Sequence, residues 1–334
     1  MQRLLAGIGF AAVLLMAAAP AWAQKTVTFA YQDMMNPWRW VQQSQEIEKA
    51  TGFKINWRQF GGGGDVIRAM ASGDVQLGEV GSTGVATAIS QGMDVELFWI
   101  LEDIAAAEAL VARNGSGINS VADLKGKKIG TPFVSTSHFQ LLYAMQRAGL
   151  KATDAQVLNM RPPEIAAAWS RGDIDATFIW DPVLSTVKKT GKVLVTSGDI
   201  CKQGACTFDG LVVTQKFAKE NPQFMVALVK ALAKADADYR ANPKAWTADP
   251  AKVAAVAKWS GGKPEDVADA MALYGFPSVQ EQASPTWLGG GASGAATKAL
   301  AQQANFLKEQ GRLTTVAPDF SKNVTTEWVT KAMQ

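Results

Sequence analysis

The chain has 334 residues, 48% hydrophobic and 19% charged, with a formal charge of +3. That length exceeds what one hydrophobic core usually supports, so two lobes are expected, and a near-balanced charge without a long basic run leaves no footprint for nucleic acid. One histidine and two cysteines offer no credible zinc site or nucleophile-histidine-acid constellation.

In chain order, Arg3, the apolar run at 4–19 and the small-x-small sequence Ala21-Trp22-Ala23 form the pattern of a cleavable secretory signal over residues 1–23. The run is short for a bilayer span. A periplasmic protein beginning at Gln24, with no lipid anchor, is therefore expected. Residues 25–31 read as a strand, 37–50 as a helix stopped at Gly52, and 54–60 as a second strand. Gly61 to Gly64 breaks the chain before a helix at 65–71. A buried strand at 75–80 leads through Gly81-Ser82-Thr83 into a helix reaching Gln91, and another strand fits 95–101. This alternation predicts mostly parallel sheets flanked by helices, an α/β architecture.

The rhythm continues with strands at 108–112, 127–131, 157–160 and 176–180, and a returning strand at 211–214. Beyond Pro222 the pattern is helical, punctuated by Asn221-Pro222, Asn242-Pro243 and Asp249-Pro250. The expected organisation is a second lobe, 106–211, inserted into a discontinuous first lobe, 24–105 and 212–334, with hinges near 102–108 and 208–212. Cys201 and Cys206 enclose four residues. In an exported chain they are expected to form a disulfide that fixes a local loop, since the spacing is not the CxxC of redox or zinc motifs.

Several segments together carry a family resemblance. They are Tyr31-Gln32, the stretch from Arg68 to Ser82, Gly130-Thr-Pro-Phe-Val-Ser-Thr-Ser-His138, Pro162-Pro163-Glu164-Ile165 with Ala168-Trp169 and Arg171-Gly-Asp-Ile-Asp175, and Phe306-Leu-Lys-Glu-Gln-Gly311. In this order they resemble the taurine-binding protein family across about residues 25–330. The resemblance implies a two-lobed type II periplasmic-binding fold with the ligand in the interlobe cleft. It also implies a monomer without cofactor that delivers taurine to an ABC permease coupled to a cytoplasmic ATPase.

The residues support that reading chemically. In open α/β sheets ligands sit beyond the carboxyl ends of the strands, where Gly81-Ser82-Thr83 and Ser135-Thr136-Ser137 place hydroxyls and free N–H groups at helix starts. Such groups bind anions, although ordinary capping uses the same residues; one loop in each lobe, both matching the family, favours the anion. A sulfonate would suit these donors. The ammonium of taurine needs a carboxylate, with Asp209, aligned with a Thr-Leu-Asp or Thr-Phe-Asp family pattern, as first candidate and Glu108 as second. Tyr31, Phe133 and Trp180 are expected to wall the cleft, Gln32 to donate to a sulfonate oxygen, and His138 to start its helix or donate to the anion. Asp181 reads as a helix cap. Another small sulfonate or zwitterion, or a periplasmic sensor, are the alternatives; an enzyme is not expected.

Overall fold

The structure, a computed structural model, describes residues 24–334, so the signal reading lies outside the described residues. Ten strands are present: β1 (Thr26–Tyr31), β2 (Lys54–Gln59), β3 (Leu77–Gly81), β4 (Val95–Asp103), β5 (Glu108–Arg113), β6 (Lys128–Thr131), β7 (Gln156–Asn159), β8 (Ala176–Trp180), β9 (Gly191–Thr196) and β10 (Phe208–Thr214). They form two five-stranded sheets, ordered β2-β1-β3-β10-β4 and β7-β6-β8-β5-β9. In each sheet one strand runs against the rest: β10 is antiparallel to β3 and β4, and β5 to β8 and β9. These reversed strands are the two that follow a crossing between sheets. Both lobes therefore share one plan: second strand, first, third, the reversed strand, then the fourth.

Burial explains why these runs become strands. Every residue of β3 and β8 is buried, as expected for strands covered on both faces. Along β5 and β8 the side chains alternate between two cores. Leu110, Ala112 and Phe178 join a cluster around Phe139 and Met145, whereas Ala109, Val111 and Ile179 join one around Ile165, Trp169 and Leu184. The two-residue period of a strand places these clusters on opposite faces of the second sheet. The first lobe packs Phe29, Trp38, Leu97, Trp99, Phe224 and Leu300 in its own core.

Three sequence expectations change. The helix foreseen at 37–50 is two helices, Trp38–Ser44 and Glu46–Thr51, parted by Gln45 at φ 55°. Strand β9 was not anticipated: Gly191 to Thr196 is an only partly covered edge strand whose short apolar run, Val193 to Val195, lacks a two-residue alternation. The second crossing lies between Thr196 and Phe208, ahead of the 208–212 hinge: Phe208 and Asp209 already pair with Asp103 and Glu102 in the first sheet. The first crossing runs from Asp103 to Glu108.

The return crossing contains the Cys201–Cys206 disulfide. Side-chain amides hold the loop it closes: Gln302 donates to the carbonyl of Gly204, Gln140 to that of Ala205, and Gln303 to that of Cys206. The helices Thr136–Arg147 and Ala295–Glu309 thus clamp it from two sides. Among the described residues no helix is long and apolar enough to cross a membrane.

Candidate functional site

The two lobes meet where β1 and β3 of the first sheet face β5, β6 and β8 of the second. Glycines let the backbones approach. A Cβ on Gly64 would lie 3.3 Å from the Phe133 carbonyl oxygen, and one on Gly81 would lie 2.9 Å from Thr136 Cγ2 and 3.0 Å from Asp209 Oδ1. Between them is a cavity of about 10 Å³, walled by Gln32, Met34, Gly63, Gly81 and Asp209 from the first lobe and by Glu108, Ser135, Thr136 and Trp180 from the second. That volume suits one water, so a larger solute enters only as the lobes part. Outside it, a groove of about 520 Å³ runs between Gly61–Arg68 and the second-lobe segments around Phe133 and Arg161. Arg161 Nε reaches Asp65 Oδ2 across the groove at 3.2 Å.

The donor side of the cavity is the start of the helix Thr136–Arg147. Ser135 is its N-cap: its hydroxyl accepts from the His138 N–H at 3.1 Å and donates to the Pro132 carbonyl at 2.6 Å. Among the described residues, the backbone N–H groups of Thr136 and Ser137 donate to no protein acceptor. Two oriented donors at the positive end of a twelve-residue helix make an anion-accepting corner.

The acceptor side is a group of buried carboxylates. Asp209, at the start of β10, is in register with Gly81 on one side and Glu102 on the other. Burial raises its carboxyl well above the usual range, and the neighbouring Glu102, Glu108 and Glu79 add to the rise. Glu108, opposite Trp180 in the β5–β8 register, receives the Thr136 hydroxyl at 2.6 Å and the Ser197 hydroxyl at 3.2 Å. Burial lifts it from 4.5 to about 7 despite those donors. Behind them Arg39 is fully buried and forms an ion pair with Glu79 at 2.9 Å. The same nitrogen, Nη2, also holds the carbonyl of Gln32, while Nε holds that of Met34 and Nη1 the side-chain oxygen of Gln42. One buried cation therefore faces several carboxylates, and a cationic group entering the cavity would relieve their mutual repulsion.

The twelve expected site residues separate into two groups. Gln32, Glu108, Ser135, Thr136, Trp180 and Asp209 line the cavity. One N–H of the Gln32 side-chain amide bonds the Glu79 carbonyl at 3.0 Å, which leaves its second N–H as a donor. Thr136 spends its hydroxyl proton on Glu108, which leaves the backbone N–H groups and the Ser137 hydroxyl as anion donors. Ser82 and Thr83 turn away: both hydroxyls donate to Gln303 Oε1, at 3.0 and 2.7 Å, and Ser82 also accepts from the Phe208 N–H. Tyr31 is packed edge-on to Trp259 beneath the Arg39 guanidinium. Phe133 lines the outer groove and stacks on His138, centroids 4.2 Å apart. His138 starts its helix through its backbone, and burial, with Arg312 adding, pushes its imidazole down to about 3. Ser137 Oγ is buried without a partner. Asp181 accepts from the Ser185 N–H in the first turn of the helix Val183–Lys188 at 2.8 Å, while Pro182 holds the N-cap position.

Met34, Gly63 and the carboxylates behind the cavity were missed by sequence reasoning. A signal existed for the last of these: Glu79 interrupts the otherwise uncharged β3, and Glu102 directly follows the apolar run Leu97–Leu101 of β4, and a buried charge needs a partner or a function.

Comparison with known proteins places this geometry. The NMT1/THI5-like family model matches residues 49–246. The taurine-binding periplasmic protein of Escherichia coli (strain K12) is 37% identical over 303 residues, 91% of this chain and 92% of the relative. Two solved structures are similar in fold. The alkanesulfonate-binding protein from Xanthomonas axonopodis pv. citri bound to MOPS has a TM-score of 0.69 at 22% identity, covering 86% of this chain and 94% of that one. The periplasmic aliphatic sulphonate binding protein from Escherichia coli has a TM-score of 0.68 at 24% identity, covering 91% of each. The two lobes of repeated topology, the cleft between them and the extent of these matches together show that this chain belongs to the NMT1/THI5-like family and is a solute-binding protein of the periplasmic-binding fold, not an enzyme.

Proposed function

We propose that this protein is exported by its N-terminal signal, captures taurine in the periplasm and delivers it, as a monomer, to an ABC permease driven by a cytoplasmic ATPase. The observation that carries the ligand assignment is the polarity of one small cleft. Unpaired N–H groups of the helix Thr136–Arg147, the buried carboxylates Asp209 and Glu108 and the Trp180 ring border the same cavity, Glu108 standing beside the helix start through its bond from Thr136. A sulfonate stays ionised at ordinary pH and accepts from the helix start. An ammonium one ethylene away meets the carboxylates and the indole face, a cation–π contact of roughly 0.5–2 kcal/mol. The identity to the taurine-binding relative supports the same ligand.

Calorimetric titration with taurine, hypotaurine, ethanesulfonate, β-alanine and glycine betaine tests this reading. Taurine should bind at micromolar or better affinity, with a ceiling near tens of nanomolar for so small a ligand, about −1.5 kcal/mol per non-hydrogen atom. Ethanesulfonate, which lacks the ammonium, and β-alanine, whose planar carboxylate offers two acceptor oxygens where the sulfonate offers three, should bind at least about tenfold more weakly. Ethanesulfonate matching taurine would reduce the cleft to a simple anion site.

A further inference from the structure

The segment after β1 leaves the first sheet and enters the second lobe. Met34 is buried in the cluster of Ala109, Ile179, Trp180 and Val183, all second-lobe residues. Beside it, Asp33 Oδ1 accepts the indole N–H of Trp180 at 2.6 Å. Trp180 ends β8 and walls the cavity, whereas Asp33 is not among the residues that line it. The hook is fixed from its own lobe, because Arg39 bonds the carbonyls on either side of Asp33, those of Gln32 and Met34. An indole has one donor and no other way to satisfy it, so this contact sets both the ring's position and the approach of the two lobes.

We infer that Asp33 is a positioning residue for ligand retention: its carboxylate holds Trp180 against the cleft and ties the closed lobes together, so that it governs how long a ligand stays. The inference rests on the assignment of this cleft as the ligand site. A contact that spans the two lobes acts on escape more than on encounter, and its loss belongs in the dissociation rate. The acceptor, not the charge, is what the indole requires, so an amide oxygen at position 33 serves nearly as well.

Stopped-flow taurine binding to the full mature chain, with Asp33→Leu, Asp33→Asn, Trp180→Phe and Asp33→Leu/Trp180→Phe, tests this. Asp33→Leu should raise the dissociation rate about tenfold with the association rate within about twofold, and Asp33→Asn should restore it to within about threefold. In the Trp180→Phe background, which lacks the N–H, Asp33→Leu should add little. Independently of any ligand, the ¹⁵N–¹H indole resonance of Trp180, assigned by its disappearance in Trp180→Phe, should shift upfield in Asp33→Leu and not in Asp33→Asn. If Asp33→Asn is as damaging as Asp33→Leu for taurine and harmless for ethanesulfonate, Asp33 reads the ammonium directly and the inference falls. An unmoved indole resonance with unchanged dissociation also overturns it. Should the wild type bind no sulfonate, the proposed ligand fails, and the indole resonance still judges the contact.

Discussion

Two strand-to-helix loops of this protein look alike in sequence and do different things. Gly81-Ser82-Thr83 and Ser135-Thr136-Ser137 each follow a buried strand and start a helix. In the first, Gln303 from the helix Ala295–Glu309 captures both hydroxyls, and the loop presents only the bare face of Gly81 to the cleft. In the second, no such amide intervenes: Thr136 turns to Glu108, and two helix N–H groups stay unpaired at the cavity. The first loop therefore supplies room and the second supplies donors. A residue more than two hundred positions away decides which, so local chemistry alone could not tell them apart.

The comparison is broken most severely by filling the room. Gly81 has φ −63°, a value any residue adopts, so Gly81→Ala should fold normally. Its methyl would stand 2.9 Å from Thr136 Cγ2 when the lobes close and 3.0 Å from Asp209 Oδ1 within its own lobe. Taurine affinity should fall by up to about 3 kcal/mol, the upper part of the overpacking range, with a smaller loss of thermal stability in the ligand-free protein. Calorimetry and thermal melts on the same sample separate the two effects, and unaltered affinity would mean that the lobes close elsewhere.

The same contrast sharpens when each hydroxyl is removed. Thr136→Val keeps the shape and deletes the donor to Glu108; affinity should drop about tenfold, in line with a lost bond to a charged group. Ser82→Ala should leave affinity within about twofold and instead cost about 1–2 kcal/mol of stability, because the Phe208 N–H loses its acceptor. The opposite assignment of losses would reverse the roles given to the two loops.

Much of the fold was legible because its signals are local. The apolar runs, the Gly61–Gly64 break and the Asn-Pro and Asp-Pro starts each carry their own physics, and nine of the ten strands were anticipated near their places. The site was legible where a residue ends a strand, as Glu108, Thr136, Trp180 and Asp209 do or nearly do. It was not legible where function depends on what arrives from elsewhere. Arg39 takes the carbonyl of Gln32, Gln303 takes Ser82 and Thr83, and His138 is buried under Phe133. Sequence patterns mark a side chain's type and place on an element, whereas these partners are set by tertiary packing.

A further effect concerns pH. Glu108 has its folded value raised from 4.5 to about 7, and Asp209 and Glu102 are raised as well, with Glu79, Asp33 and Arg39 facing the same space. A carboxyl raised on folding holds its proton better in the native state, so its contribution to stability is present at low pH and is lost as pH rises through this window. The ligand-free protein should therefore lose stability between about pH 5 and 7, by at most about 3 kcal/mol for Glu108 alone. Taurine affinity should rise over the same interval by several-fold, as the carboxylates that would meet its ammonium ionise. Melting temperatures and calorimetry across that range at constant salt check both slopes, which must have opposite sign.

The central claim is that the cleft reads a zwitterion, and the most direct measurement is the taurine-to-ethanesulfonate affinity ratio in wild type and in Asp209→Asn. The substitution keeps shape and hydrogen-bonding capacity while removing the charge, and truncating one member of a buried pair typically costs about 2–5 kcal/mol. Taurine should weaken at least about thirtyfold, while ethanesulfonate, which brings no ammonium, should lose little or gain. Equal losses for the two ligands would contradict the account, leaving Asp209 as a support of the cleft and Glu108 as the group to test next.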